Sequence, residues 1–341
     1  MGGFRDILHP LALVLAGMAL STVSSGFARA QSPGLNPDSL SFFEKPLAFE
    51  IFGFTATYNQ LVDVPLVHDF IDDDSGIYPR AVFQGTIERQ LRNAITVGAT
   101  YLGDYDRIED DEYEDRWAVY ASGVWGRLSG GEVNESVRDA TRRWPGTGNA
   151  DLEFDDVLGT LREDGLGAAY HLRLSAYTLN AGVDEDGNSD FGITYERPNK
   201  YMDIRFTGRL TNSEVRSLDR TTVFDTVAAG FVTQVEYGSF AADLGLGFEH
   251  LDSSAADGNR YFVSAGVHYK VRRLTVSAEG HWGEIDGDTE KSAALGLRYD
   301  IARGLSTNLG YNYAESNAAI GGIRIQNVDV SEFIASMRYE F

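Results

Sequence analysis

The strongest constraint in this sequence is a strict alternation of apolar and polar residues over stretches of about ten residues. Residues 202–210 show it most clearly, and residues 261–270, 274–282 and 305–313 repeat it. Side chains of a β-strand point alternately to the two faces of a sheet, so each stretch predicts a strand with one apolar and one charged face. In residues 202–210 the apolar face would hold Met202, Ile204, Phe206, Gly208 and Leu210, and the polar face Asp203, Arg205, Thr207 and Arg209.

Two architectures fit strands of this kind. A soluble sandwich would bury the apolar faces in its core. A transmembrane β-barrel would turn them toward lipid and its charged faces toward a wet lumen. Strands of about ten residues suit a tilted membrane crossing, aromatic residues lie at strand ends as membrane girdles require, and only a wet lumen tolerates so many charges at low cost. We therefore predict an all-β, antiparallel transmembrane barrel.

The alternation predicts sixteen strands, an even number as in bacterial single-chain barrels. The predicted strands cover residues 47–59, 80–90, 93–104, 115–123, 124–130, 165–171, 172–183, 189–197, 200–211, 221–236, 238–251, 260–270, 273–284, 291–301, 304–315 and 331–341.

The connections between these strands fall into two groups. Residues 69–76, 104–115, 184–187 and 284–290 are acidic and longer, whereas residues 89–92, 197–200, 270–273 and 300–304 are short and often basic. Outer-membrane barrels have long loops outside and short turns in the periplasm. The acidic connections also offer oxygen ligands for Ca²⁺ or for a divalent bridge to lipopolysaccharide; solvated negative surface is the alternative interpretation.

The N-terminus has the pattern of a secretory signal peptide over residues 1–30. Arg5 is followed by an apolar run at residues 11–20 and by the cleavage pattern Ala28-Arg29-Ala30. The run is too short to span a bilayer as a helix, although an N-terminal membrane anchor is the alternative. Residues 31–46, rich in Pro, Ser and Asn, predict a flexible lead-in to a barrel over residues 47–341.

The charge and the absence of cysteine exclude several functions. The formal net charge is −22, and it becomes −23 when cleavage removes Arg5, Arg29 and Asp6, that is, two positive charges and one negative. Nucleic-acid binding needs a basic surface. Without cysteine there is no disulfide framework, thiolate metal site or cysteine nucleophile.

Residues 132–164 interrupt the alternation with a long polar stretch. Long connections without strands of their own are uncommon in compact domains and are often functional. We interpret the segment as a loop that folds into the lumen and narrows the pore; an ordinary surface loop is the alternative. Its carboxylates are Glu132, Glu135, Asp139, Asp151, Glu153, Asp155 and Asp156.

With these features the chain resembles the general bacterial porins, the sixteen-stranded trimeric outer-membrane proteins. The resemblance depends on the strand count, the strand at residues 165–170 after the long loop, the acidic-loop and basic-turn layout, and the alternating C-terminus that ends at Phe341. In that family the third loop folds into the lumen, and a terminal Phe is the signal for the barrel-assembly machinery. One departure is the sequence Trp144-Pro-Gly-Thr-Gly, where the family often has a Pro-Glu-Phe-Gly-Gly type tip.

The resemblance implies that loop carboxylates face wall arginines across the narrowest part of the pore, and facing charges set pore selectivity. Arg138, Arg142 and Arg143 lie within the loop and would neutralise some of its acids. By strand parity the candidate wall residues are Arg80, Arg127, Arg205, Arg209, Arg298 and Arg338.

The sequence thus predicts an outer-membrane porin for passive diffusion of small hydrophilic solutes and ions, with a weak cation preference. A ligand-specific channel, or a structural or adhesin barrel with a plugged lumen, is the alternative. We expect a homotrimer in contact with outer-membrane lipid and lipopolysaccharide, with residues 104–115 as a latch onto a neighbour. We expect no cofactor. We also expect no catalysis, because the two Ser–His pairs that share a strand face, Ser264 with His268 and Ser277 with His281, lie more than about 10 Å apart along a strand.

Overall fold

The computed structural model describes residues 47–51, 54–70, 80–92, 94–106, 112–161, 165–197 and 202–340. The predicted signal peptide (residues 1–30), the predicted lead-in (residues 31–46) and Phe341 lie outside the described residues.

Almost all of the described chain is antiparallel β-structure, as the alternation predicts. No helix in this part of the chain is long and apolar enough to cross a membrane. The elements are β1 (Leu47–Ile51), β2 (Phe54–Phe70), β3 (Arg80–Gln90), β4 (Thr96–Asp106), β5 (Glu112–Gly123), β6 (Gly126–Gly131), α1 (Ser136–Thr141), β7 (Gly167–Leu174), β8 (Tyr177–Asp184), β9 (Ser189–Arg197), β10 (Asp203–Arg216), β11 (Val223–Tyr237), β12 (Phe240–Asp252), β13 (Asp257–Val271), β14 (Leu274–Ile285), β15 (Asp288–Ala302), β16 (Leu305–Ser316), β17 (Ala319–Ile320), β18 (Ile323–Arg324) and β19 (Val328–Glu340).

The strands pair with their neighbours in chain order. From β2 to β16 each strand pairs antiparallel with the next, and β16 then pairs with β19. β19 in turn pairs with β2, over a register that runs from Glu332↔Phe70 to Glu340↔Leu61. β1 pairs with the first residues of β2, and β17 and β18 form a separate two-stranded hairpin.

The sheet buries its polar face and exposes its apolar face, which is the reverse of what a soluble protein does. Along β10, Thr207, Arg209 and Thr211 are buried, whereas Phe206 and Leu210 on the opposite face are 39% and 59% exposed. Large apolar side chains are exposed in the same way on β3 to β16 and on β19. A water-soluble sandwich would bury these side chains. The polarity therefore favours an apolar exterior and a polar interior.

The connections that fold onto the polar face bring small apolar clusters with them. The connection between β16 and β19 buries Ala318, Ile320 and Ile325 against Phe224 and Leu251 at the ends of β11 and β12. The segment after β6 adds two more clusters, in which Leu152 contacts Ala294 and Val157 contacts Phe262. Burying a Leu, Val or Phe side chain is worth about 1.5–3 kcal/mol, so these clusters hold both connections on the inner face.

Two predicted boundaries are wrong. The predicted strand 47–59 is divided between β1 and β2, and β2 continues to Phe70 through Pro65. Pro65 is tolerated because the ladder with β19 shifts register beside it, between Ala335 and Ser336, and a bulge accommodates a residue without an N–H. In addition, the predicted connection 316–330 contains the β17–β18 hairpin. Most other strand ends lie within a few residues of the prediction.

Candidate functional site

The segment of residues 132–161 begins where β6 ends, and its first residues already bind to the sheet. The Trp117 N–H of β5 donates to Glu132 Oε2 over 3.0 Å, and Arg116 forms an ion pair with Glu135. Asn134 Nδ2 donates to the carbonyl oxygen of Gly165, 2.9 Å away, at the other end of the loop. The two ends of the segment are therefore held together before it crosses the inner face.

Arg260 of β13 is the main wall residue that binds the middle of the segment. Its Nη1 donates to the Asp156 carbonyl oxygen over 2.8 Å, and its Nη2 to the Phe154 carbonyl oxygen over 3.1 Å. The same guanidinium pairs with Glu249 and Glu290, each at 2.7 Å, and all three side chains are fully buried. Only the fork of five donors in arginine satisfies four acceptors in this way.

A second attachment uses the carboxylate of Asp156. Arg209 of β10 donates to Asp156 over 2.8 Å while also pairing with Asp190 at 2.7 Å, and Arg138 of α1 donates to Asp156 over 3.0 Å. Burial alone would raise the pKa of Asp156, but Arg209 and Arg138 outweigh burial and lower that pKa. The carboxylate therefore stays ionised and joins the helix, the distal part of the segment and the wall.

Arg143, just after α1, attaches the segment a third time. Its fully buried guanidinium pairs with Asp243 of β12 and lies 3.8 Å from Asp155. The side chain passes over Gly245 and Gly266, where a Cβ atom would overlap it. His268 lies 3.6 Å from the Asp243 carboxylate.

The tip of the segment, residues 146–151, lies on β14, β15, β16 and β19. The Thr147 N–H donates to Ser277 Oγ over 2.8 Å, the Asp151 N–H donates to Asn312 Oδ1 over 3.0 Å, and Asn149 Nδ2 donates to Ser336 Oγ over 3.1 Å. Short polar side chains of the wall thus satisfy the backbone of a segment that has no strand partner at its tip.

Two glycines create the space for this tip. A Cβ on Gly296 of β15 would overlap the Thr147 carbonyl oxygen, and a Cβ on Gly310 of β16 would overlap the Asn149 carbonyl oxygen. Backbone atoms cannot move aside as a flexible side chain can, so the wall at these two positions must lack a side chain for the tip to lie there.

The seven predicted loop carboxylates all lie on or within this segment, and several are engaged by arginines. Glu135 and Asp156 pair with arginines, and Asp139 lies 3.9 Å from Arg142, whereas Glu132 accepts from the Trp117 N–H. Burial raises the pKa of Asp139 to about 7 and that of Asp155 to about 6, and burial also raises the pKa of Asp151. The Glu153 N–H donates to Ser292 Oγ over 3.2 Å.

The predicted wall arginines occupy different surroundings. Arg205 donates to the Ala140 carbonyl oxygen and to Gln234 Oε1, Arg298 pairs with Glu340 at 3.1 Å, and Arg127 lies over the Tyr120 ring at 4.8 Å. Arg338 contacts Asn149 of the tip. Arg209 does face a loop acid, as described above. Arg80 begins β3 in register with Asp63 and Asp106, and its side chain lies outside the described part.

Sequence parity missed two arginines that bind the segment, Arg116 and Arg260. Arg260 is the first residue of the predicted strand 260–270 and lies on the same face as Ser264 and His268, so the alternation of that strand would have found it. The two carbonyl oxygens of the segment that Arg260 binds lie more than 100 residues away along the chain, and no local pattern indicates them.

Two cavities lie on either side of the segment. The turn-side cavity, which reaches the short turns at Ala94 and Val124, measures about 800 Å³ and is lined by seven arginines and four carboxylates. The loop hollow measures about 350 Å³ and is lined by the segment itself, with three arginines and four carboxylates. Arg142, Arg143 and Pro145 line both cavities. The segment is therefore a thin septum at these residues.

The cross-strand pair Ser264 and His281 was not anticipated. Ser264 Oγ lies 2.8 Å from His281 Nδ1, and His281 Nε2 lies 3.0 Å from Glu290 Oε1. A serine, a histidine and a carboxylate in series are typical of hydrolases. Here Glu290 is already paired with Arg260, and the His281 side chain is buried beside the Phe154 ring. The arrangement extends the polar network beneath the segment.

Among the described residues, no group of three or more His, Asp or Glu side chains is placed to hold a metal ion. In the acidic connection at residues 184–187, the Asp184 carboxylate accepts hydrogen bonds from the Asp186 and Asn188 N–H groups at 3.0 and 2.9 Å, which forms a closed turn.

Comparison with known proteins finds similarity in structure alone. No protein-family model and no curated protein matches the sequence. Among solved structures, in-vitro folded OmpT, an outer membrane protein of Vibrio cholerae, superposes with a TM-score of 0.62 at 14% identity, covering 86% of this chain and 99% of that one. Its trimer form gives 0.60 at 13% identity, covering 85% and 100%. A triple mutant of the Rhodopseudomonas blastica porin gives 0.57 at 14% identity, covering 84% and 100%. The predicted resemblance is thereby confirmed at the level of the fold, and the chain has the fold of bacterial outer-membrane porin barrels.

Proposed function

We propose that this protein is a bacterial outer-membrane channel through which small hydrophilic solutes and ions diffuse passively. In this proposal the sixteen paired strands from β2 to β16 and β19 close into a transmembrane barrel, and residues 132–164 narrow its lumen. One observation carries the proposal: a polar segment crosses the polar face of a sheet whose opposite face exposes large apolar side chains.

The hydrogen bonds of the segment support its role as a constriction. Wall residues on β10, β12, β13, β14, β15, β16 and β19 bind it, so it spans much of the inner circumference instead of lying along one strand. The turn-side cavity remains open beside it. A wet, charged passage with a fixed narrowing is the arrangement that selects solutes by size and charge.

A modest cation preference is part of the proposal. The acidic connections and the net charge of −22 attract cations toward the mouth, while the arginines around the segment oppose them. The test is the triple variant Asp151→Asn, Glu153→Gln and Asp155→Asn, which spares Asp156 because Asp156 holds the segment to the wall. We expect the reversal potential in a salt gradient to shift toward anions.

The matched control removes three exposed carboxylates from the acidic connections: Glu185→Gln, Asp186→Asn and Asp286→Asn. Screening over about 8 Å at physiological salt weakens these charges more than charges in a narrow passage, so the control should shift the reversal potential less. Equal shifts in both variants, or none in the first, would show that residues 132–164 do not line the ion path.

We also propose that the protein is a homotrimer in the outer membrane, in contact with lipid and lipopolysaccharide and inserted by the barrel-assembly machinery. The trimer form of one similar structure supports this proposal. Electrophoresis of unboiled, detergent-solubilised protein and crosslinking test it. A monomer under mild detergent conditions in both measurements would contradict it.

A plugged barrel is the second candidate function, and the connection between β16 and β19 is the observation that favours it. This connection packs on Leu158 of the segment as well as on the wall, so two connections jointly fill one sector of the interior. A plugged barrel would show almost no conductance in planar bilayers, whereas the proposed channel would conduct steadily.

A further inference from the structure

Trp144 is set apart from the other three tryptophans of the chain by its position. Trp117 and Trp282 lie on the apolar face of the sheet and Trp125 lies in the turn between β5 and β6, and they are 43%, 49% and 39% exposed. Those are places where tryptophan meets the edge of a bilayer. Trp144 lies instead on the segment that crosses the polar face, where it lines the turn-side cavity. Its indole therefore has no membrane to contact.

The ring of Trp144 is only partly covered by the protein. Trp144 is half-buried, and it belongs to none of the three apolar clusters that hold the inner connections. Its ring meets the His268 ring almost at a right angle, at 88°, with the two centroids 6.4 Å apart. A contact of this kind covers at most one face of an indole. Apolar surface thus remains exposed in a polar cavity, where its burial against a ligand would be favourable.

The backbone on both sides of Trp144 is fixed to the wall. Arg143 forms a buried ion pair with β12, and the Thr147 N–H donates to Ser277 Oγ of β14 over 2.8 Å. Trp144 also precedes Pro145, and a residue before proline is restricted to extended backbone. The indole is therefore held in place before any ligand arrives, which removes part of the entropic cost of binding one.

Hydrogen-bonding groups of both kinds share the cavity with the indole. Three pairs of an arginine with a carboxylate line it, with their charged atoms 3.1, 3.7 and 3.9 Å apart: Arg298 with Glu340, Arg205 with Glu196, and Arg142 with Asp139. Each pair places a donor beside an acceptor. A hydroxyl group both donates and accepts, so it matches both members of such a pair, whereas an ion is attracted by one member and repelled by the other. The wall therefore suits a neutral solute that carries several hydroxyl groups.

We propose that the turn-side cavity binds neutral sugars in their ring form, with the indole of Trp144 as the platform for one face of the ring. The faces of a pyranose ring present C–H bonds, which pack on an aromatic ring, while its hydroxyl groups project from the rim toward the paired donors and acceptors. A cavity of about 800 Å³ has room for such a ring. The proposal rests on the proposed channel function and names a solute class that the channel would retain.

The first experiment measures single-channel current in planar bilayers while glucose or sorbitol is added. Sorbitol is the open-chain alcohol made by reducing glucose, so it resembles glucose in size and polarity but has no ring. We expect saturable block by glucose and none by sorbitol. In Trp144→Ala the half-blocking concentration of glucose should rise about tenfold, the effect of losing an aromatic contact, and Trp144→Phe should recover part of this loss. Trp282→Ala is the control, because it removes an indole from the apolar face of the sheet.

Saturation-transfer NMR on protein solubilised in a detergent without a sugar headgroup separates the site from the channel. Transfer to glucose protons that weakens in Trp144→Ala but not in Trp282→Ala supports the site even when no current is seen, in which case the channel function fails. A conducting protein that glucose neither blocks nor binds overturns the site and leaves the channel standing. Equal block by glucose and sorbitol, or equal half-blocking concentrations in Trp144→Ala and the parent protein, also overturns it. Unboiled samples that keep the electrophoretic mobility of the parent protein show that the variants fold.

Discussion

The two cavities beside the segment share a wall and differ in charge. The loop hollow is lined by four carboxylates and three arginines, and the turn-side cavity by four carboxylates and seven arginines. Arg142 and Arg143 belong to both, so the difference arises from what lies behind them: the carboxylates at residues 151–156 on one side, and the basic wall around Arg298 and Arg338 on the other. A single thin segment therefore separates two electrostatic environments.

This comparison shows that net charge alone does not set the ion preference of the proposed channel. The chain carries −22, yet the lining of the turn-side cavity has seven arginines and four carboxylates. A narrow, low-dielectric passage concentrates the field of the nearest charges, whereas charges on outer connections are screened within about 8 Å at physiological salt. The position of the segment decides which charges an ion meets.

The largest expected effect comes from removing the residue that holds the septum to the wall. Arg260→Met leaves Glu249 and Glu290 buried without the arginine that pairs with both, and it also releases the carbonyl oxygens of Phe154 and Asp156. Breaking a buried ion pair from one side costs about 3–5 kcal/mol, so the unfolding midpoint in denaturant should fall sharply. A triple variant that adds Glu249→Gln and Glu290→Gln should recover part of the loss. An unchanged midpoint in Arg260→Met would mean that the buried network does not hold the segment.

A smaller effect, visible mainly in conductance, should come from displacing the tip of the septum. In Gly310→Ala the new Cβ would overlap the Asn149 carbonyl oxygen, so the tip must leave β16 and the two cavities should merge. We expect a higher and noisier single-channel conductance. Gly230→Ala on β11 is the control, because a Cβ there meets no atom within 4 Å. A difference in electrophoretic mobility between unboiled and boiled samples would establish that both variants fold. Equal conductance in the two variants would contradict the position of the tip.

The smallest effect should be a pH dependence of how firmly the septum is held to the wall. The pKa values of Asp139 and Asp155 are raised by burial to about 7 and about 6 from an ordinary 3.8. Their contribution to holding the segment is complete below about pH 4, falls as the free carboxyls ionise, and is lost above about pH 7. Asp156, whose pKa is lowered, acts oppositely and only below its ordinary pKa. Between pH 5 and 8, rising pH should therefore increase cleavage of the segment by protease.

The double variant Asp139→Asn and Asp155→Asn should flatten this pH dependence, since its amides do not titrate. Asp286→Asn on an exposed turn should leave the dependence unchanged. A pH profile of the double variant that matches the parent protein would assign the effect to other groups.

Much of this fold could be predicted because the signal is local. The alternation in residues 202–210 already indicates which side chains of β10 point inward, and the long polar stretch at residues 132–164 already indicates where the regular strand pattern stops. The miss at β2 also has a local cause: Pro65 looks like a strand breaker, and only the bulge opposite, beside Ala335, accommodates it.

The sequence by itself determined the strands, their two-faced character and the segment that interrupts them, because period-two patterning is a property of neighbouring residues. Tertiary structure alone decided the partners. Arg143 pairs with Asp243, one hundred residues away, and Arg260 binds carbonyl oxygens of the segment at still greater separation. Ser264 contacts His281 on the neighbouring strand instead of a histidine on its own strand. Strand register and the path of one segment set those contacts, and both are consequences of pairings among residues that are distant in the chain.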